Sequence, residues 1–408
     1  MTMISRLLSR RVIASTLICL SLVAPWVSAQ EAPPKPQPDV PEPQVMIPSP
    51  PQVAATSWIL IDANSGRVLA EHNPDERVPP ASLTKLMTAY LVERELERGN
   101  IHSDDMVPIS EKAWRTGGSK MFVEVGTRVS VDDLLHGIII VSGNDASVAM
   151  AEHLAGGEDQ FADLMNQHAA QLGMENTHYV NATGLPAENH YSSARDLMRL
   201  ARHIILDYPD HYAIYSQKNF SYNNIDQNNR NRLLWRDDSV DGLKTGWTDD
   251  AGYCLVSSAQ REDMRLISVV LGTSSDEARA QETQKLLSYG FRYFETLKLY
   301  DQGAVLNTPR VWEGASNELR VGVDSDVYMT VPRSRREELT ARLDIDKGLV
   351  APIAAGQQVG TMEVRLGDEV VGERPLVALE AVEEGGFFKR MFDKVQRFFS
   401  DLVGGWFD

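Results

Sequence analysis

Three short strings of residues with hydroxyl, amine and amide groups follow one another along this chain of 408 residues. They have the patterns S-x-x-K at 82–85, S-x-N at 142–144 and K-T-G at 244–246. A serine hydroxyl attacks a carbonyl carbon efficiently only when a neighbouring base removes its proton. Because the strings supply serines, lysines and an amide in a fixed order, they predict acyl transfer through a serine ester.

The first string stands at the predicted start of a helix. Prolines precede it, and apolar residues follow it at helical spacing: Leu83, Leu86, Met87, Tyr90 and Leu91. Because residues three apart share one helix face, the Lys85 amine can reach the Ser82 hydroxyl. Lys85 must be neutral to accept a proton, and burial beside a second cation such as Lys244 favours that form. The alternative is a helix cap followed by a solvated lysine.

The other two strings supply groups that hold a substrate and move its proton. Ser142 offers a second hydroxyl that can pass a proton to a leaving amine, and the Asn144 amide can hold the first lysine and the substrate backbone. Lys244 contributes charge and Thr245 a donor for a carboxylate, while Gly246 lets substrate backbone approach closely. Ser-Gly-Asn alone is a common turn, so it supports the predicted chemistry only because it lies between the other two strings.

Other chemistries find no support in the sequence. There is no H-E-x-x-H string, and the nine histidines are scattered between His72 and His211, outside the three strings. A Ser-His-Asp triad has no G-x-S-x-G string to support it. We therefore predict neither a metal nor a cofactor. The net charge of -17 argues against a nucleic-acid partner, because the phosphate backbone is also negative.

The N-terminal segment 1–29 has the pattern of a secretory signal peptide. Arginines precede an apolar run at 12–23, and a small-residue cleavage motif ends at Ala29. The alternative is an uncleaved signal anchor. Cleavage would remove Cys19 and leave Cys254 alone, so no intrachain disulfide is expected. Cys254 lies in a strand-like run, which favours a role as a small core residue.

Composition divides the remaining chain into four parts. Residues 30–54 hold nine prolines and form a predicted extended linker. In 55–297, strand patterns at both ends enclose helical patterns, which predicts an α+β domain whose antiparallel sheet joins its two ends. The predicted elements are a hairpin at 58–61 and 68–70, strands at 240–244, 253–258 and 266–272, and a helix at 277–295. Residues 298–382 carry strand-like runs separated by turns, including Gly367-Asp368, and predict a small all-β domain. We interpret it as a spacer or docking module.

The last segment, 387–408, is a predicted amphipathic helix. One face holds the apolar residues Phe387, Phe388, Met391, Phe392, Val395, Phe398, Phe399, Leu402, Val403, Trp406 and Phe407. The other holds Lys389, Arg390, Asp393, Lys394 and Arg397. A wide aromatic face opposite a largely basic one favours a helix lying in a membrane interface. The alternatives are packing on a domain or in a dimer seam.

Four longer strings carry a resemblance to a known family: Pro-Ala-Ser-Leu-Thr-Lys at 80–85, Tyr-Ser-Ser-Ala-Arg-Asp at 191–196, Val-Asp-Gly-Leu-Lys-Thr-Gly at 240–246 and Ala-Gly-Tyr at 251–253. In these strings the sequence resembles serine-type D-alanyl-D-alanine carboxypeptidases. These are low-molecular-mass penicillin-binding proteins of class C, type 5. The resemblance covers nearly the whole mature chain. It implies a penicillin-binding, transpeptidase-like α+β domain and removal of the terminal D-alanine from peptidoglycan pentapeptides. It also implies inhibition by β-lactam antibiotics and a location in the bacterial periplasm, attached peripherally to the inner membrane.

The resemblance also implies roles for single residues. Ser82 would form the acyl-enzyme, Lys85 would be the base, and Ser142 would relay protons. Lys244 and Thr245 would bind the terminal carboxylate of the substrate.

Further residues complete the implied binding set. Asn144 and Gly246 would hold and admit the substrate, and the N–H groups of Ser82 and Trp247 would form the oxyanion hole. Arg230 and Arg279 resemble arginines near the carboxylate end of the site, although the alternative is that they are surface cations.

Two departures from the family pattern bear on deacylation and on substrate access. Trp247 stands where related proteins often carry histidine, and the segment 117–120 beside the cleft is shorter than in close relatives.

A β-lactamase is the nearest rival function. Gly143 in place of an aspartate argues against it, whereas Glu188 keeps it open as a possible deacylating residue. A non-catalytic wall-binding scaffold is the rival from another class.

Overall fold

A computed structural model describes residues 47–404, with side chains up to residue 397. The predicted signal peptide at 1–29, the first part of the predicted linker and residues 405–408 lie outside the described residues. The helices are α1 Lys85–Glu97, α2 Glu111–Arg115, α3 Val131–Ile139, α4 Asn144–Ala155, α5 Glu158–Gln171, α6 Ala194–Asp207, α7 Pro209–Tyr212, α8 Asp276–Tyr293 and α9 Phe387–Gly404. Short 3-10 turns span Ala81–Thr84, Ala213–Ser216, Arg232–Trp235 and Arg333–Glu338.

The strands of residues 47–404 form five antiparallel sheets. They are β1 Ser57–Asp62, β2 Val68–His72, β3 Met106–Pro108, β4 Arg128–Ser130, β5 Asn219–Tyr222, β6 Ile225–Asn228, β7 Val240–Thr248, β8 Gly252–Arg261, β9 Met264–Thr273, β10 Phe294–Tyr300, β11 Val305–Asn307, β12 Val321–Gly322, β13 Val327–Pro332, β14 Leu339–Ile345, β15 Gln358–Leu366 and β16 Glu369–Ala378. The central sheet has the order β2-β1-β9-β8-β7, so strands from both ends of the domain meet in it. Trp58 of β1 lies opposite Val270 of β9.

Two hydrophobic cores lie on the two faces of this sheet because side chains alternate along each strand. Ile59 and Ile61 of β1 join the core that contains α1, α3, α4, α5 and α6. Trp58 and Leu60 join the core beneath α8. Helix α1 is buried along most of its length, so its first turn is fixed within the larger core.

Two predicted boundaries differ from the structure. Strand β7 continues to Thr248, so the K-T-G string lies inside a strand instead of closing it, because β8 pairs with it as far as Thr248 and Gly252. The helix predicted at 277–295 ends at Tyr293 as α8, and β10 begins at Phe294. Phe294 and Thr296 alternate into buried positions there, which suits a strand.

The short sheet of β10 and β13 connects the first hairpin to the following all-β part. Thr296 donates from its hydroxyl to Asp62 Oδ2 at 2.8 Å. Arg67 Nη1 donates to the backbone oxygen of Thr330 at 2.6 Å. The turn of the first hairpin is therefore fixed against the sheet that leads into the C-terminal part.

The all-β part contains a five-stranded sheet in the order β11-β12-β16-β15-β14, with a core of its own. Gly367 has φ +61° in the turn between β15 and β16, at the predicted Gly367-Asp368 hairpin. Strands β11 and β14, at the two edges of the sheet, were not predicted. Apolar residues do alternate with polar ones along β14, at Leu339, Ala341, Leu343 and Ile345, but every residue of this strand is exposed or half-buried.

Helix α9 packs on this β part through its polar side. Asp393 is buried and accepts the backbone N–H of Glu313 at 2.8 Å and a hydrogen bond from Lys389 at 2.6 Å. Phe388 and Phe392, in contrast, are 79% and 66% exposed. Within residues 47–404 no helix combines the length and the apolar character that crossing a membrane requires.

Candidate active site

Ser82 lies in the 3-10 turn Ala81–Thr84, immediately before α1, and not in the α-helix itself. Lys85 is the first residue of α1, and its Nζ lies 3.2 Å from Ser82 Oγ. The turn is packed tightly against Gly184, where a Cβ would lie 1.8 Å from the backbone oxygen of Ala81. Gly184 also has φ +83°, so two independent constraints require glycine there. The position of Ser82 is therefore set by its own turn and by the wall that carries Gly184.

Lys85 is almost completely enclosed, with 1% of its surface exposed. Its Nζ donates to Asn144 Oδ1 at 2.6 Å and to the backbone oxygen of Thr183 at 2.5 Å. Burial and the positive charge of Arg230 lower the pKa of Lys85 to about 7, although Asp145 acts in the opposite direction. A large fraction of neutral amine is therefore present near neutral pH, as a general base requires.

Ser142 stands before α4 in the left-handed region, at φ +62°. Its Oγ is buried and has no hydrogen-bond partner within the described part of the chain. Buried hydroxyls are rarely left without a partner in native proteins. Ser142 lines the same cleft as Ser82.

Asn144 begins α4 and connects Lys85 to the loop beside the cleft. Its Nδ2 donates to the backbone oxygen of Gly117 at 2.7 Å. A Cβ on Gly118 would lie 2.6 Å from this Nδ2, so the loop approaches the amide closely. The Asn144 side chain thus uses its oxygen for the lysine and its nitrogen for the loop.

Sequence reasoning did not identify Asp145, which follows Asn144 and is fully buried. Its carboxylate accepts the backbone N–H groups of Met121 and Phe122 at 3.0 and 2.9 Å. A Cβ on Gly143 would lie 2.9 Å from Asp145 Oδ1 and 3.2 Å from the Met121 nitrogen. The glycine of the S-x-N string therefore fits the crowding between α4 and this segment. Nothing in the sequence pattern distinguished Asp145 from an ordinary acidic residue in a first helical turn.

Strand β7 forms the opposite wall of the cleft. Lys244 is buried, and burial together with the charges of Lys85 and Arg230 holds its pKa well below its ordinary value. A Cβ on Gly246 would lie 3.1 Å from the backbone oxygen of Pro80. Glycine at this position therefore allows β7 to pack on the turn of Ser82, in addition to its predicted role toward substrate.

The two predicted arginines occupy different environments at one end of the cleft. Arg279 is 6% exposed, donates to the backbone oxygen of Gly246 at 3.1 Å and pairs with Asp276. It also lies over the ring of Tyr253, 5.6 Å from the centroid. Arg230 lines the same cleft and has no hydrogen bond or ion pair with the other residues that the structure describes. The interpretation of Arg279 as a surface cation is wrong because its side chain is buried.

The cleft has a volume of about 780 Å³. Its walls comprise Ser82, Gly118, Ser119, Ser142, Asn144, Thr183, Gly184, Leu185, Pro186, Arg230, Thr245, Gly246, Trp247, Thr248, Asp249, Asp250, Tyr253, Asp276 and Arg279. Lys85 and Lys244 lie buried behind them. Trp247 is 51% exposed, and its ring is tilted against Tyr253 at 5.9 Å. Glu188 is exposed and is not part of the cleft wall. In residues 47–404 no group of three histidine, cysteine or acidic side chains is arranged to hold a metal ion.

Comparison with known proteins identifies the family. The family model described as D-alanyl-D-alanine carboxypeptidase matches residues 44–275, and that of the penicillin-binding protein 5 C-terminal domain matches 294–384. The chain is 42% identical over 411 residues to D-alanyl-D-alanine carboxypeptidase DacA of Escherichia coli strain K12, covering 99% of this chain and 100% of that protein. The chain belongs to the D-alanyl-D-alanine carboxypeptidase family of serine peptidases.

Solved structures agree with this assignment. Penicillin-binding protein 5 from Haemophilus influenzae is 45% identical, with a TM-score of 0.78, and covers 82% of this chain and 99% of its own. Penicillin-binding protein D2 from Listeria monocytogenes in its ampicillin-bound form is 32% identical, with a TM-score of 0.55, over 59% and 98% of the two chains. The predicted family, the α+β fold and the serine carboxypeptidase class are confirmed.

Proposed function

We propose that this chain releases the terminal D-alanine from peptidoglycan stem peptides ending in D-Ala-D-Ala, through an acyl-enzyme on Ser82. The observation that carries the proposal is the enclosed pair of Lys85 and Ser82. A buried amine with a pKa of about 7 lies 3.2 Å from a hydroxyl that opens into the cleft. Membership of the carboxypeptidase family supports the substrate class.

In acylation, Ser82 Oγ attacks the carbonyl carbon of the penultimate D-alanine while Lys85 accepts the serine proton. The backbone N–H groups of Ser82 and Trp247 would receive the oxyanion. When the C–N bond breaks, the leaving amine takes a proton that Ser142 relays. The buried and unpartnered Ser142 Oγ supports this relay, because a bound substrate would supply the partner that the hydroxyl lacks.

The terminal carboxylate of the substrate would lie at the end of the cleft lined by cations. Thr245 would donate a hydrogen bond to it, and Lys244, Arg230 and Arg279 would contribute positive charge. Charge-assisted hydrogen bonds are the stronger class, and they would select peptides with a free carboxyl terminus. Asn144, whose Nδ2 already donates one hydrogen to Gly117, would hold the substrate backbone through the second hydrogen of that nitrogen.

Deacylation would use water, with Lys85 again as the base. β-Lactams would acylate the same serine, and a slowly hydrolysed ester would make them inhibitors. The cleft wall contains the acidic residues Asp249, Asp250 and Asp276 but no glutamate, and Glu188 is exposed outside it. The proposal of a carboxypeptidase is therefore better supported than that of a β-lactamase.

The same proposal includes a location, namely the periplasmic face of the bacterial cytoplasmic membrane. Segment 1–29 would direct export, and α9 would lie in the membrane interface. The polar side of α9 is already occupied by the β part, while Phe388 and Phe392 are exposed on its other side. Lys389, Arg390 and Lys394 lie on the polar side, where they pair with Asp393, Glu384 and Glu313, so the exposed phenylalanines carry the proposal of a membrane interface.

Two measurements on the purified full chain test the proposal. Wild type should release D-alanine from a peptide ending in D-Ala-D-Ala and should label covalently with a fluorescent penicillin. Ser82→Ala should abolish both and keep the fold. Ser119→Ala is the matched control, since Ser119 lines the cleft but has no lysine three residues on. Wild type that neither labels nor releases D-alanine would instead identify a non-catalytic scaffold.

A further inference from the structure

The turn that carries Ser82 has to be held in place by its surroundings. Ala81, the residue before Ser82, has φ +49°, in the left-handed region that a residue with a Cβ rarely adopts. Such a conformation costs free energy and persists only where neighbouring structure fixes it. Gly184 packs against the backbone of Ala81 at the start of the turn. A second contact is needed at the end of the turn, where Thr84 leads into Lys85.

Thr84 makes this second contact with its hydroxyl. A threonine that precedes a helix usually accepts a hydrogen bond from a backbone N–H of the first helical turn. Thr84 does not cap α1 in this way, and its own backbone is already helical, at φ -48° and ψ -36°. Its Oγ1 lies instead 2.8 Å from Nε2 of His190, and both side chains are buried. The hydroxyl therefore binds the imidazole.

The hydrogen bonds of His190 define its tautomer. The backbone N–H of Val180 donates to His190 Nδ1 at 3.0 Å. A backbone N–H can only donate, so Nδ1 carries no proton and Nε2 is the protonated nitrogen, which donates to Thr84 Oγ1. Burial, together with the charges of His178 and Lys85, lowers the pKa of His190 to about 4. The ring is therefore neutral near neutral pH, and its two nitrogens keep these separate roles.

The wall that contains His190 also binds α1 through its backbone. Lys85 Nζ donates to the backbone oxygen of Thr183 at 2.5 Å. Thr88 Oγ1 donates to the backbone oxygen of Ala182 at 2.8 Å. Backbone oxygens are present whatever the residue type, whereas the contact at the end of the turn depends on the side chain at position 190. A substitution of His190 therefore removes that contact and leaves the other two possible.

We propose that His190 is a positioning residue for the pair of Ser82 and Lys85, because it holds the Thr84 hydroxyl and so fixes the turn that keeps the nucleophile beside its base. The inference rests on the proposed function, since it assigns His190 to the same reaction. His190 contacts neither the substrate nor the reacting atoms and acts through Thr84. Its loss should slow acylation, because a displacement of about 1 Å can cost a reaction about a hundredfold in rate.

Two substitutions in the full chain separate the hydrogen bonds of the ring. His190→Gln keeps a donor near the position of Nε2, whereas His190→Asn keeps an acceptor near that of Nδ1 and is too short to reach Thr84. We expect His190→Asn to lower both kcat/KM for a peptide ending in D-Ala-D-Ala and the acylation rate with a fluorescent penicillin by about tenfold or more. His190→Gln should stay within about twofold of wild type, because it retains the donor. His178→Asn is the matched control and should match wild type, since this exposed histidine contacts Asn189 and not the turn.

A double-mutant cycle tests the route through Thr84. Thr84→Val replaces the hydroxyl with a methyl group and should by itself reproduce the loss of about tenfold. Adding His190→Asn to Thr84→Val should cause no further loss, because the hydrogen bond is already absent. The Thr84→Val result stands alone if His190→Asn fails to fold.

Several results would overturn the positioning role while wild type still releases D-alanine. These are a His190→Asn or Thr84→Val variant as fast as wild type, a His190→Gln variant as slow as His190→Asn, and a further loss of about tenfold when His190→Asn is added to Thr84→Val. Wild type that releases no D-alanine would overturn the proposed function as well.

Discussion

The carboxylate of Asp145 accepts the backbone N–H of Met121 at 3.0 Å, and this contact ties the loop beside the cleft to the helix that presents Asn144. The same carboxylate accepts the N–H of Phe122 and raises the pKa of Lys85 against the larger effect of burial. One side chain thus fixes one wall of the cleft and adjusts the proposed base. Asp145 is a positioning residue, since it acts through the loop and Lys85.

The variant Asp145→Asn tests both effects, the first by its stability and the second by its pH profile. Loss of the charged acceptor should destabilise the fold by about 2–4 kcal/mol, measured by urea unfolding. Removing the negative charge should also lower the pKa of Lys85 further, so the acidic limb of the kcat/KM profile should move to lower pH. A purely structural role would lower activity at every pH without moving that limb.

The wild-type pH profile follows from the pKa of Lys85, about 7. The neutral amine is the base, so kcat/KM should fall about tenfold per pH unit below that value and level off above it.

Lys85→Arg keeps the charge but cannot deprotonate, and it should lose several orders of magnitude in rate. An arginine variant within about tenfold of wild type would place the base elsewhere.

Glu93, two turns after Lys85 in α1, predicts a pH dependence of stability. Burial raises its pKa to about 8, opposed by the hydrogen bond that Tyr215 donates at 3.1 Å. A carboxyl whose folded pKa lies above its unfolded value stabilises fully at low pH and loses that contribution as pH rises through the folded pKa. Between pH 5 and 8 this should cost about 3 kcal/mol of unfolding free energy. Glu93→Gln should remove that decline, whereas Glu97→Gln, on the exposed side of α1, should keep it.

The exposed face of α9 predicts binding to lipid. Phe388→Glu with Phe392→Glu should lower the affinity of the full chain for vesicles of anionic lipid by about a hundredfold or more, because each phenylalanine loses burial in the lipid. Turnover of soluble peptides should not change. Asp393→Ala is the control: it should retain vesicle binding while amide hydrogens of α9 exchange faster. Equal vesicle binding by the double variant would refute the anchor.

Local patterns predicted most of the framework that supports the site. The strands near Trp58, Leu255 and Val269 alternate clearly between two buried faces, and the spacing of Ser82 and Lys85 is set within one turn. Strand β14 was missed although Leu339, Leu343 and Ile345 fall on one face of it, because the run is short and none of its side chains is fully buried.

Long-range contacts explain what sequence reasoning missed in the site. Lys85 donates to the backbone oxygen of Thr183, and backbone oxygens are the same for every residue type. Asp145 gains its role only because the segment at Met121 folds against it. The environment of Arg279 required knowing that α8 packs on β8 and β9, close enough for its guanidinium to reach Gly246 of β7.

The pairing of β1 with β9 has a consequence for the order in which the chain folds. Trp58 finds its partner only when Val270 has been synthesised, and the turn of Ser82 packs on β7, which comes late in the domain. Contacts between such distant positions form slowly, because loop closure must precede them. Until then β1 and β2 form a hairpin with an open, apolar edge that invites pairing with other chains. A nascent chain is therefore vulnerable to aggregation until β9, which ends at Thr273, has emerged and paired with β1.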